Sequence, residues 1–171
     1  MAALPFSESF KNVIATTRLI ALDLGCDYIS TIHFFLADCQ LHPLSSLKGL
    51  LFKNEADFQR FYQEFRVGPA IFAVGAGSVP LLTESDATLR RTKQIARAYQ
   101  EKTIHPCHFF VAATQVPNSI FRSLLTTNDI APEDALAYYV RAGQLPFAPA
   151  PVSARGGRLG QLWRAICSCR R

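Results

Sequence analysis

Four histidines and five cysteines are the side chains best equipped for chemistry in this 171-residue chain. His105-Pro106-Cys107-His108 sets three ligand-type residues within four positions, the look of half a zinc site. A closed zinc site needs four ligands of suitable geometry, and no second ligand pair follows. The spacing therefore predicts no metal, and no cofactor is implied. Cys167-Ser168-Cys169 lies among arginines, which would depress thiol pKa values and invite oxidation or acylation. The plainer reading, two ordinary cysteines in a frayed tail, is preferred. A serine or cysteine hydrolase would announce itself by an elbow of the Gly-x-Ser-x-Gly kind, and none is present. No loop-borne Ser or Cys is flagged by its context, so the sequence predicts no enzyme. Nucleotide chemistry needs Gly-x-x-x-x-Gly-Lys-Ser/Thr; Gly156-Gly157-Arg158-Leu159-Gly160 lacks the lysine that would reach the phosphates. His33 and His108 each open a short apolar stretch. They are read as structural, each ring bonding local backbone and fixing a turn.

The remaining composition bounds the class. Apolar types make up 49% and charged types 18%, enough core material to exclude wholesale disorder. No apolar run approaches the roughly 20 residues of a membrane span. Met1–Glu8 offers neither a basic nor an apolar leader segment, and an odd cysteine count suggests no disulfide scaffold. The expectation is a reduced, cytoplasmic setting. The formal charge of +5 is confined to one end. Residues 1–154 hold 13 basic and 13 acidic side chains, whereas 155–171 hold five arginines and no acid. A basic face on the folded body is not implied, and nucleic acid loses its support as a partner.

Periodicity predicts helices throughout. Phe10, Val13, Thr17, Ala21 and Leu24 fall on one helical face, with Ser7 as N-cap and Gly25 as the stop. Thr31 is expected to cap a helix reaching Cys39 whose lack of polar face makes it central. Pro43 should open a helix over 44–52, and Asn54 should cap one over 55–66 with an aromatic face of Phe58, Phe61, Tyr62 and Phe65. Residues 67–79, with three glycines and a proline, read as a linker. The pattern then restarts. A step of 75 residues carries Pro5 to Pro80, Ile29 to Ile104, and His33-Phe34-Phe35 to His108-Phe109-Phe110. The same step places Cys107 in the slot of Ile32. The chain is thus a duplicated four-helix unit: repeat one over 4–66, repeat two over 80–142, the halves facing across a pseudo-twofold. Residues 143–154, uncharged and proline-rich, read as an extended linker, and 155–171 as a flexible basic tail with Leu159, Leu162, Trp163 and Ile166 at helical spacing.

Phe6-Ser7-Glu8, Ala21-x-x-x-Gly25 and Tyr28-Ile29-Ser30-Thr31-Ile32-His33-Phe34-Phe35-Leu36 resemble the first repeat of the Clp N-terminal domain family. Leu82-Thr83-Glu84 through Ile104–Phe110 resembles the second, so the likeness spans roughly 4–142. It implies an all-α fold of two pseudo-symmetric four-helix repeats, here as a stand-alone domain without the AAA+ modules. It also implies a monomeric, non-catalytic module that binds protein: an unfolded substrate segment, an adaptor, or a Clp unfoldase whose intake it would modulate. Phe6, Ser7, Ile32, Leu82, Thr83 and Cys107 are the residues the resemblance offers for peptide or adaptor contact. In one branch of the family, an acid before each histidine and a hydroxyl at each repeat's start receive phosphoarginine. Here the hydroxyls are Ser7 and Thr83, but Ile32 and Cys107 replace the acids, and neither offers the carboxylate fork a guanidinium needs. The pockets should therefore favour apolar segments. The competing reading is a scaffold tethered to membrane or polyanion by Arg158, Trp163, Arg164, Arg170 and Arg171, each arginine contributing about 1 kcal/mol at an anionic surface. A hydrolase on a reused helical fold is the third and weakest class.

Without a phosphate-cradling loop and its lysine, nothing positions a triphosphate. Calorimetry with ATP and magnesium is expected to give no saturable heat, and micromolar binding would contradict this reading of the chain.

Overall fold

In the computed structural model, which describes residues 4–44, 46–71 and 78–145, two helices nearly devoid of a polar face lie at the centre. These are α2 (Thr31–Leu41), buried continuously from Thr31 to Cys39, and α6 (Pro106–Gln115), buried from Cys107 to Thr114. Each aromatic of the repeated His-Phe-Phe element meets its own image. Phe34 stacks on Phe109 with ring centroids 4.4 Å apart, and Phe35 meets Phe110 edge-on at 6.3 Å. The pseudo-twofold therefore passes between α2 and α6.

Around this pair lie the amphipathic helices α1 (Glu8–Asp23), on α2, and α5 (Thr83–Ala98), on α6. The short α3 (Lys48–Leu51) and α4 (Glu55–Glu64) complete repeat one; α7 (Ile120–Thr127) and α8 (Pro132–Arg141) complete repeat two. The eight helices make an all-α fold, with no strand among the described residues. Even the buried hydroxyls repeat in register. Thr17 donates to the Val13 carbonyl and Thr92 to the Thr88 carbonyl, both at 2.7 Å, so each helix satisfies its own polar core residue.

The repeats are tied at their starts by two isolated bridges, Phe6 with Ile104 and Leu81 with Ile29. The pairings are crossed. The segment before α1 joins the loop before α6, and the segment before α5 joins the loop before α2. Ser7 N–H donates to Ile104 O and Ile104 N–H to Pro5 O, both at 2.9 Å; Leu82 N–H donates to Ile29 O and Ile29 N–H to Pro80 O, both at 2.8 Å. The four bonds are two copies of one pair under the 75-residue step.

Local chemistry sets several element ends differently from the sequence expectation. Ser30, not Thr31, is the N-cap of α2, because the His33 ring takes the Ser30 N–H while Thr31 turns its hydroxyl to the other repeat. The helix expected over 44–52 shrinks to Lys48–Leu51, since Ser46 N–H bonds back to His42 O and makes a turn there. Helix α4 stops at Glu64 because Arg66 leaves its axis to bind Asp23, Nη1 to the carbonyl at 2.9 Å and Nη2 to the carboxylate at 3.2 Å. Gly25 is the expected stop of α1: its φ is +77°, and a Cβ there would lie 2.8 Å from the Gly68 backbone. The start of the 67–79 segment is docked accordingly, with Val67 N–H on Leu24 O and Ile71 N–H on Leu22 O.

The folded body also runs past 142. Gly143 adopts φ +69°, Gln144 N–H bonds Tyr139 O, and Leu145 is buried to 4% exposure. A glycine turn after α8 thus returns the chain to the core, and Leu145, three residues past the end expected at 142, is part of it. Residues 146–171 lie outside the described residues, and with them the proline-rich segment proper, Cys167, Cys169, Arg158, Trp163, Arg164, Arg170 and Arg171.

Truncation separates the two boundaries. A chain ending at Ala142 loses the buried leucine, worth about 1.5–3 kcal/mol, and the turn that caps α8. Its melting temperature by circular dichroism is expected to fall about 5 °C or more below that of a chain ending at Leu145. Equal melting would show that Leu145 contributes nothing.

Candidate functional site

The crossings bring the residues of the resemblance to two edges. At one, Phe6 and Ser7 lie against Ile104 and the start of α6. At the other, Leu82 and Thr83 lie against Ile29 and the start of α2. Phe6 is half-buried, its ring edge-on to Phe10 at 5.3 Å. Ser7 caps α1, its hydroxyl accepting the Phe10 N–H at 3.2 Å. Ile32 and Cys107 are buried to 2% and 1% exposure, so neither side chain is presented at the surface. Burial pushes the Cys107 thiol up to about 12, which leaves it un-ionised and inert.

Thr83 does not play the part of Ser7. The 75-residue step puts Leu82 at the N-cap of α5, where no side chain accepts a bond, and Thr83 is the exposed first helical residue. The polar residue that matters here is Glu84. Its carboxylate accepts the Thr31 N–H at 2.8 Å and the Thr31 hydroxyl at 2.7 Å, and Ser85 also donates to it at 2.7 Å. Thr31 in turn accepts the Phe121 N–H at 3.1 Å. An acid on α5 thus satisfies the buried start of α2. The image of Thr31 is Pro106, which has no N–H to satisfy, and the image of Glu84 is Ser9.

Freed from that duty, Ser9 enters a different constellation. Its Oγ lies 3.0 Å from His42 Nε2, and His42 Nδ1 lies 2.8 Å from Asp38 Oδ1. The local folding is simple. Asp38 and His42 are four apart at the end of α2, on one face; His42 is the C-cap residue. Ser9, in the first turn of α1, meets them because α1 packs along α2. Asp38 is 3% exposed; desolvation raises its pKa, against the pull of the His42 hydrogen bond. That same bond raises the pKa of half-buried His42. A cavity of about 340 Å³ opens beside them, lined also by Glu101, His105, Cys107 and Gln144. The sequence reading passed over all three residues. Asp38-x-x-x-His42 at helical spacing was the visible signal, but Ser9 joins it only through the helix packing.

His33 and His108 have the geometry of capping residues. Each Nδ1 accepts, at 3.0 Å, the N–H of the residue three before it, Ser30 or His105. Both rings are buried, and desolvation lowers each pKa to about 4. Neither faces a substrate space.

No family model matches this sequence, and no curated protein does either. Solved structures do match, and the class of fold they define is that of Clp-type N-terminal domains. The N-terminal domain of the caseinolytic protease-associated chaperone ClpD from Arabidopsis thaliana superposes with a TM-score of 0.62 at 14% identity, over 82% of this chain and 96% of that one. The Hsp104 N-terminal domain from Candida albicans gives 0.64 at 12%, over 82% and 93%. A chain from work on a malarial protein secretion system gives 0.61 at 16%, over 80% and 92%. Among the described residues, no helix is long and apolar enough to cross a membrane.

The two capping histidines make stability depend on pH. Unfolded rings take up a proton near 6.5 and the folded ones only near 4, so protonation favours the unfolded chain between those values. Stability is full above pH 6.5 and falls toward pH 4 by about 1.4 kcal/mol per unit for each ring. In a H33N/H108N double variant, whose amide oxygens can still accept the capping N–H groups, the decline in melting temperature between pH 6.5 and 4.5 is expected to flatten. Asp38 and His42 titrate in both proteins, so the difference isolates the two buried rings.

Proposed function

We propose that this chain is a protein-docking module of the Clp N-domain kind, receiving an apolar segment of an unfolded substrate or an adaptor at its two crossed edges. The observation that carries this reading is the fold itself, matched over more than 90% of each of two such N-domains. The chemistry of the edges supports the class of ligand. Phe6, Leu81 and Leu82 are at least partly accessible there, and the residues just before the repeated histidines are the buried Ile32 and Cys107, not carboxylates. A guanidinium placed at either edge would lose a charge-assisted bond of about 1.5–3 kcal/mol, a tenfold weakening or more. An aliphatic anchor would meet apolar surface.

Titration of isotope-labelled protein tests the reading. An apolar peptide is expected to move the amide signals of Phe6–Ser7 and Leu81–Thr83 saturably, while phosphoarginine leaves them still. Saturable shifts from phosphoarginine around Ser7, with silence from the peptide, would reverse the assignment.

A further inference from the structure

Ser9, Asp38 and His42 come from two helices and stand in the order hydroxyl, imidazole, carboxylate, linked at 3.0 Å and 2.8 Å. The fold does not require them. In repeat two the same slots hold Glu84, Ala113 and Pro117, and the helices pack equally well. Their environments are graded as acyl transfer needs: a buried carboxylate, a half-buried imidazole and a partly exposed hydroxyl at the mouth of a cavity. An ionised carboxylate can only accept, so with Asp38 ionised the proton belongs on His42 Nδ1 and the Nε2 lone pair faces Ser9. That is the tautomer a general base must have. Ser9 is also the second residue of a 16-residue helix whose first internal backbone bond runs from Lys11 N–H to Ser7 O. The positive end of the α1 dipole therefore lies near where negative charge would develop on the carbonyl oxygen of an acyl group bonded to Ser9 Oγ.

We propose that Ser9, His42 and Asp38 are an acyl-transfer triad that cleaves small, uncharged carboxylic esters in the cavity beside Cys107. Ser9 Oγ bonds the ester carbonyl carbon as its proton passes to His42 Nε2. The carbon–oxygen bond to the alcohol then breaks, and His42 returns that proton to the departing alcohol. Water repeats the cycle: one proton goes to His42, its oxygen bonds the acyl carbon, and Ser9 leaves with the proton restored. Ser9 and His42 act on the reacting atoms, and Asp38 is a positioning residue. A volume of about 340 Å³ admits a short acyl chain. The carboxylates of Asp38 and Glu101 on its wall exclude an anionic one.

The full chain, treated with an alkyl fluorophosphonate, is expected to take one adduct, mapped by peptide mass spectrometry to Ser9: the Oγ–P bond forms and fluoride leaves. S9A, which gives up one surface hydrogen bond and keeps a good helix former, takes none and folds by circular dichroism. H42Q reacts at least about a hundredfold more slowly. D38N slows the reaction and D38E recovers part of it, a rescue that mere packing at Asp38 would not produce. With p-nitrophenyl acetate, acylation of Ser9 precedes turnover. An unlabelled wild-type chain, an adduct elsewhere, or S9A hydrolysing the ester as fast as wild type each overturns the proposal. The mapped adduct on the unaltered chain decides the matter even if a histidine or aspartate variant fails to fold.

Discussion

The stack of Phe34 on Phe109 is the contact on which the rest of the structure depends. Both rings are buried on helices that have almost no polar face, and each occupies the other's place in its own repeat. Neither helix could be left at a surface without exposing a run of phenylalanine, so the two must cover each other. Once they do, α1 and α5 have one available face each, and the starts of the repeats are carried across the axis to the opposite half. The aromatic shell then follows: Phe35 meets Phe52, Phe61, Phe110 and Phe121, drawing α4, α6, α7 and the end of α3 to one centre.

Symmetry in the core coexists with divergence at the polar ends. Helix starts leave N–H groups that something must satisfy, and the two repeats solve this differently. One uses proline, which removes the donor; the other uses a carboxylate from across the axis. That single difference releases Ser9 from the role Glu84 holds, and it is why the two edges are no longer chemically alike. Duplicated folds commonly diverge in this way: apolar contacts on the axis constrain both copies at once, whereas a polar group off the axis constrains only one.

The core was legible in the sequence because it is written twice. His33-Phe34-Phe35 and His108-Phe109-Phe110 in register announce both the duplication and the buried helices, and the periodicity of α1 identifies its inner face. Caps were less legible. Ser30 and Thr31 are adjacent hydroxyls of similar propensity, and only the position of His33 and the distant Glu84 decides between them. The polar constellation was hidden for a related reason. Asp38 and His42 are four apart on a helix that reads as wholly apolar, and Ser9 is one serine among many until α1 is laid along α2. Local pattern encodes which residues turn inward; it does not encode which polar side chains meet when two helices pack.

The crossed bridges have a topological consequence. Each repeat is completed by a strand-like segment belonging to the other, and the chain passes from one half to the other through the segment joining α4 to α5. Every hydrogen bond across the axis would be preserved if that link were held open and the halves were taken from two different molecules. The chain thus carries the geometry of a reciprocal exchange between copies. Shortening the link would bias the outcome toward an intertwined pair without altering one residue of the interface.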